Sequence, residues 1–201
     1  IMFSTLCFKG RFSVPFKPEN TILTHFQSSP HESSTIKVMK KTDELRYFED
    51  ENSKWVELDF EDSTAKLWLA LPKKQFELGK IEKSINADYL QNVEKKLSAS
   101  RVEIVLPKFI LDQKTSVKEI LAAAGMDYSF KTKKYNFTEI SQVAIFNLNE
   151  NGINASENIQ KPAEKKSGFY IFTKSFYATE PFIAIIKDGE EILTLTRVYK
   201  P

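Results

Sequence analysis

Apolar and polar positions change their period several times along the chain. Thr5 to Phe12 is largely apolar with a Lys-Gly interruption, which predicts a strand running into a turn. The Pro-punctuated VPFKPENT (Val14 to Thr21) predicts irregular chain, and the polar stretch His25 to Thr35 a loop. Ile36–Val38 opens another strand. Leu45–Phe48, Lys54–Phe60 and Ala65–Leu71 are short β-like runs separated by EDENS and EDST, the spacing of an antiparallel meander. From Gln75 to Leu97 the apolar residues Ile81, Ile85, Tyr89, Leu90, Val93 and Leu97 follow helical spacing. Asn86-Ala87-Asp88 divides this run into two helices. Arg101–Leu106 predicts a strand stopped by Pro107, and Phe109–Leu111 a shorter one. Ser116 with Glu119 fits a capping box for a helix through Ala124, with Gly125 as its C-terminal stop. Val143–Leu148, Phe169–Phe176, Phe182–Lys187 and Ile192–Val198 complete the strands, the last two joined in a hairpin at Asp188-Gly189. There are no repeats. The pattern is strand-rich with a few helices, an α+β class in one domain over residues 1–201.

Composition narrows the function more than the fold. Sixteen Phe and 41% hydrophobic residues supply a sizeable core. The net charge of +2 comes from 29 basic and 27 acidic residues mixed along the chain, which argues against a nucleic-acid-binding face. No apolar run reaches the roughly 20 residues of a membrane helix, so no membrane partner is expected. The opening IMFSTLCF lacks a basic segment and a small-residue cleavage site, and is not read as a signal peptide. A single cysteine, Cys7, excludes an internal disulfide.

Catalytic chemistry is sparse. His25 and His31 are the two histidines, so a Ser-His-Asp triad or a His-rich metal site has little to draw on, and neither metal nor cofactor is expected. Cys7 sits in a strand pattern and reads as a buried structural thiol rather than as half of a Cys7–His25 protease pair. The acidic FEDEN and FEDST flank turns and read as solvated turns rather than paired catalytic carboxylates. Trp55 and Trp68 read as meander core. The short basic runs Lys165-Lys166 and Lys131 to Lys134 stand in polar segments; the second reads as a solvated loop. These features describe a binding or inhibitory protein rather than an enzyme.

Six stretches resemble one family in order and spacing. FKGRFSVPFKPENT, LRYFEDENSKWVELDF, VEIVLPKFIL, SVKEILAAAGM, FYATEPFIAII and ILTLTRVYKP resemble motifs of the C-terminal half of a serpin. The resemblance implies a multi-sheet, β-rich serpin domain whose N-terminal half lies outside these 201 residues. It also implies a suicide inhibitor of a serine protease, extracellular, with a reactive-centre loop at about 150–170. A target protease cuts that loop, which then inserts as an extra strand into the large sheet. The strands near Met2–Phe8 and at Gln142–Leu148 would be the walls of the slot. A non-inhibitory serpin-fold protein, or a truncated and inactive copy, is the alternative.

The polar stretch from Asn149 to Phe172 takes on meaning in that frame. An inserted strand turns every second side chain inward. Ile153, Ala155, Glu157 and Ile159 would share the inward face, and Asn154, Ser156, Asn158 and Gln160 the outward one. Glu150, Gly152 and Ala155 match the family's hinge. Ile153 replaces its small hydroxyl residue, and Glu157 stands where it has a small residue. Both read as obstacles to insertion, so Glu157→Ala and Ile153→Thr are each expected to raise the yield of covalent complex. Gln142, Ser4, Phe12 and Thr196 stand where the family has His, Asn, Trp and Gly. Counting forward from Gly152 puts the reactive bond at Lys166–Ser167, a bait for a trypsin-like protease. Counting back from Pro181 puts it at Tyr170–Ile171. The first is preferred because its surroundings are polar. Asn136 and Asn154 open glycosylation sequons, and a working inhibitor is expected to leave Asn154 bare.

Overall fold

A computed structural model of the chain describes residues 2–126, 140–156 and 172–201. Strands β1 (Met2–Leu6) and β2 (Gly10–Arg11) open it, followed by β3 (Thr21–Ser29) and β4 (Glu32–Glu49). Then come β5 (Ser53–Asp59), β6 (Lys66–Pro72) and the helices α1 (Leu78–Ser84) and α2 (Ala87–Lys96). Strands β7 (Ser98–Pro107) and β8 (Phe109–Ser116) precede the short helix α3 (Lys118–Leu121). The chain closes with β9 (Ile140–Asn149), β10 (Gly152–Ile153), β11 (Lys174–Tyr177), β12 (Phe182–Asp188) and β13 (Glu191–Val198).

Two sheets result. The smaller runs β1-β9-β10-β2, with β8 also on β9. Strand β8 pairs with β9 from Phe109↔Leu148 to Ser116↔Ser141. The other edge of β9 is shared: β1 takes it in parallel from Met2↔Ile140 to Leu6↔Ala144, and β10 takes it antiparallel at Gly152↔Asn149 and Ile153↔Leu148. The larger sheet runs β11-β7-β4-β5-β6-β12-β13, with β3 added to β4. The predicted meander is present as β4-β5-β6.

Alternation along β12 explains how the layers stack. Phe182, Ala184 and Ile186 point into the core shared by the two sheets. Ile183 and Ile185 point the other way, into a second core under α1 and α2. Strand β6 divides in the same manner, with Leu67, Leu69 and Leu71 in the first core and Trp68 and Ala70 in the second. A strand with both faces covered is apolar throughout, which is why FIAII and LWLAL show no polar alternation. Trp55 meets Trp68 edge-on at 6.1 Å, and both lie on the helix side. Asn86 divides the helices as expected: its Oδ1 accepts the Tyr89 amide at 2.8 Å and caps α2.

Five expectations are corrected. The polar stretch His25–Thr35 is a β3–β4 hairpin rather than a loop, paired from Thr21↔Met39 to Ser29↔Glu32. Phe26 is fully buried there, and Ser28 fills the next inward place. Strand β4 therefore runs unbroken where two short pieces were expected. Thr115 and Ser116 belong to β8, and Val117 enters α3 with no side-chain cap, because the ladder with β9 holds the chain extended through Ser116. Cys7 follows β1 and is exposed, not buried. The strand expected over Phe169–Phe176 starts at Lys174. Phe172 is exposed ahead of it, and Phe169–Ile171 lie outside the described residues.

Candidate functional site

The hinge marked by the resemblance begins as β9 ends. Glu150 is buried, and its carboxylate accepts from Thr21 Oγ1 at 2.8 Å and Lys108 Nζ at 2.9 Å. Its carbonyl accepts the Phe16 amide at 2.9 Å. Burial alone would push this carboxyl up; the Lys108 ammonium and the Thr21 hydroxyl overcome that and hold it, net, below the ordinary carboxylate value. Glu150 thus pins the start of the segment to β8's approach and to β3.

Gly152 follows at φ 143°, in the region that favours glycine. A Cβ there would lie 2.1 Å from the Gly10 carbonyl oxygen, so the backbones of β10 and β2 approach more closely than any side chain permits. Ile153 is fully buried in the core between the sheets. Ala155 is buried too, and its carbonyl accepts Asn149 Nδ2 at 2.9 Å. Asn151 continues this side-chain ladder by donating to the Ser156 carbonyl at 3.1 Å. Ile153 and Ala155 are thus both buried in this state. Ile153 is already part of the core here, where the sequence comparison of hinges reads it as a bulky side chain still to be buried. Glu157, Ile159, Asn158, Gln160 and the bonds Lys166–Ser167 and Tyr170–Ile171 lie outside the described residues, as does Asn136.

Strands β1 and β9, which the resemblance implies as the walls of an insertion slot, are hydrogen-bonded to each other from Met2↔Ile140 to Leu6↔Ala144. Above that pairing they part. Strand β10 stands between β9 and β2, antiparallel to both. Asn154 lies at the fork, with φ 50°. Its Nδ2 donates to Phe8 O at 2.7 Å and Ile145 O at 3.2 Å, and its Oδ1 accepts the Asn147 amide at 3.1 Å. Gln142 sits lower, opposite Ser4 on one side and Thr115 on the other. Phe12 is buried and stacks on Phe60 at 5.7 Å. Thr196 lines a small cavity of about 30 Å³ with Phe8, Ile145, Ile153 and Asn154.

Lys108 and Thr21 were not singled out from sequence, although both stand in quoted motifs, LPKF and PENT. They lie 42 and 129 positions from Glu150, a distance that no local pattern spans. Asp50 of FEDEN is a turn former: burial pushes its carboxyl up, but the amides of Asn52 and Ser53 and the hydroxyls of Tyr89 and Ser53 hold it, net, below the usual value. Among the described residues no group of three or more His, Cys, Asp or Glu could hold a metal ion. No helix there is long and apolar enough to cross a membrane.

Comparison with known proteins gives one result. The family model described as serpin, serine protease inhibitor, matches residues 1–201. An uncharacterized serpin-like protein of Thermococcus kodakarensis is 25% identical over 219 aligned residues, covering 100% of this chain and 50% of its own. Antithrombin-III of Ovis aries is 25% identical over 217, covering 100% and 46%. In fold, the chain resembles the mouse protein-Z dependent protease inhibitor (TM-score 0.85, 19% identity, 99% of this chain and 54% of the other). It also resembles uncleaved ovalbumin (TM-score 0.84, 22% identity, 99% and 53%). The chain spans about half the length of the relatives it matches.

Proposed function

The chain belongs to the serpin family, and from that premise we propose that it serves to inhibit a serine protease by offering the loop beyond Ala155 as bait. The bond offered is Lys166–Ser167, with Tyr170–Ile171 as the alternative. A lysine before the cut suits a trypsin-like enzyme with a carboxylate at the base of its specificity pocket. On cleavage the loop enters between β1 and β9 and traps the protease before the acyl bond is hydrolysed. The setting is extracellular, with Asn136 a candidate for a glycan.

One observation carries the reading: β10 already stands in strand geometry on the edge of β9, antiparallel to β9 and to β2. A strand extended from it would run antiparallel to both β1 and β9, the direction that insertion between them requires. The test is incubation of the full-length protein with trypsin followed by a denaturing gel. A stable covalent complex supports the reading. Clean loop cleavage with no complex sinks it in favour of a non-inhibitory serpin fold. That second reading is favoured by Glu157, whose parity with Ile153 and Ala155 would turn a carboxylate into the sheet on insertion.

A further inference from the structure

The edge of β9 is occupied by β1 up to Ala144 and by β10 from Leu148. In between, Ile145, Phe146 and Asn147 have no register partner in either strand. The Asn154 carboxamide fills that gap. Its oxygen takes the Asn147 amide, its nitrogen gives hydrogens to the Ile145 and Phe8 carbonyls, and the Asn154 amide itself donates to Asn147 O at 2.7 Å. One side chain thereby meets three main-chain groups across both walls of the slot, as the next peptide unit of an inserted strand would. The φ of 50° at Asn154 turns the chain out of the strand at this point, a conformation that Asn tolerates better than most residues.

We propose that Asn154 is a latch: a positioning residue whose carboxamide occupies the strand-pairing groups at the fork and holds the slot shut until the loop is cut. The proposal rests on the reading that the loop inserts between β1 and β9. Insertion past Ile153 requires Asn154 to swing to an extended backbone and its carboxamide to leave all three partners. Those partners are then taken over by the main chain of the arriving strand. Removing the carboxamide therefore raises the closed state and leaves the inserted state little changed, since Asn154 faces outward once inserted. The same contacts close the sequon. Nδ2, the atom that would carry a glycan, already spends its hydrogens on two carbonyls.

The discriminating variant is Asn154→Gly in the full-length protein, which keeps the positive φ accessible and deletes the side chain with its carboxamide. Asn154→Asp is the second, keeping the side chain and the acceptor but losing both donated bonds. Two protease-free measurements are made on each: hydrogen exchange at the Asn147 amide, and uptake of a dye-labelled synthetic peptide with the sequence of residues 155–164, followed by anisotropy. The latch predicts faster exchange at Asn147 in the Gly variant and peptide uptake about tenfold faster in both variants than in wild type. Faster exchange with an unchanged uptake rate shows a merely structural bond and overturns the latch. So does the absence of uptake by all three proteins. If uptake accelerates as stated while trypsin forms no covalent complex with wild type, the inhibitor reading falls and the latch stands.

Discussion

Glu150 shows how much of the hinge is decided by single groups. A buried carboxylate is costly unless paired and hydrogen-bonded, and here Lys108 and Thr21 do both. Glu150→Ala leaves the Lys108 ammonium without this carboxylate. Because Lys108 is one-third exposed, water screens it, and a loss of about 1–3 kcal/mol is expected in urea unfolding at neutral pH. The pH dependence has a definite sign. A carboxyl held below its ordinary value stabilises the fold fully above that value, near 4.5, and the contribution is lost as pH falls through the folded value. The stability gap between wild type and Glu150→Gln should therefore be widest at pH 6 and shrink toward pH 3. A gap that is constant with pH would show that the pairing is not electrostatic. Gly152 is the second such point. A methyl group 2.1 Å from the Gly10 oxygen cannot be relieved by a rotamer change, since the obstacle is backbone. Gly152→Ala should detach β10 and cost roughly 1–3 kcal/mol, read as raised hydrogen exchange at Ile153.

At the scale of the element, the hinge strand separates two kinds of substitution. Ile153 is fully buried, and a strand inserted with the same alternation would keep it inward. Ile153→Thr therefore removes packing from both states and buries a hydroxyl, lowering stability by about 1–3 kcal/mol without raising the yield of complex. Glu157→Ala is expected to ease insertion, because in the proposed inserted strand Glu157 would turn a carboxylate inward. A drop of about 1.4 kcal/mol in the insertion barrier would change the partition between trapping and turnover tenfold, read as the stoichiometry of inhibition. The bait bond has its own test. Lys166→Ala should abolish or move trypsin cleavage in the loop, and mass mapping of wild type that finds first cleavage at Lys174 would reject Lys166–Ser167. Lys161 is a poor competitor because Pro162 follows it.

The whole molecule exposes apolar surface on both sheets. Ile110 and Ile145 lie on one outer face of the β8–β9 pair at 66% and 45% exposure, Leu23 on β3 at 67% and Leu195 on β13 at 48%. Soluble monomers rarely leave broad apolar patches open, so the 201-residue chain expressed alone should bind a hydrophobic dye and self-associate. A sharp, cooperative melt of a monomer that binds no dye would contradict this. Much of the architecture was legible because it is local. The meander follows from three β-like runs between acidic turns, and the paired helices from a 3.6 period interrupted at Asn86. The hairpin at His25–Thr35 was not legible, since its inward positions are Phe26 and Ser28 and a lone apolar residue among polar ones carries no period. The sequence by itself determined which side chains must be buried and which segments are extended, because those depend on spacing along one strand or helix. Only the tertiary structure decided who satisfies the edge of β9. Its main-chain groups are chemically alike from Ile140 to Asn149, and β1, the Asn154 carboxamide and β10 each meet a part of them. That division arises from how Phe8, Gly10 and Glu150 are held in space by residues distant in the chain, and no pattern within one segment contains it.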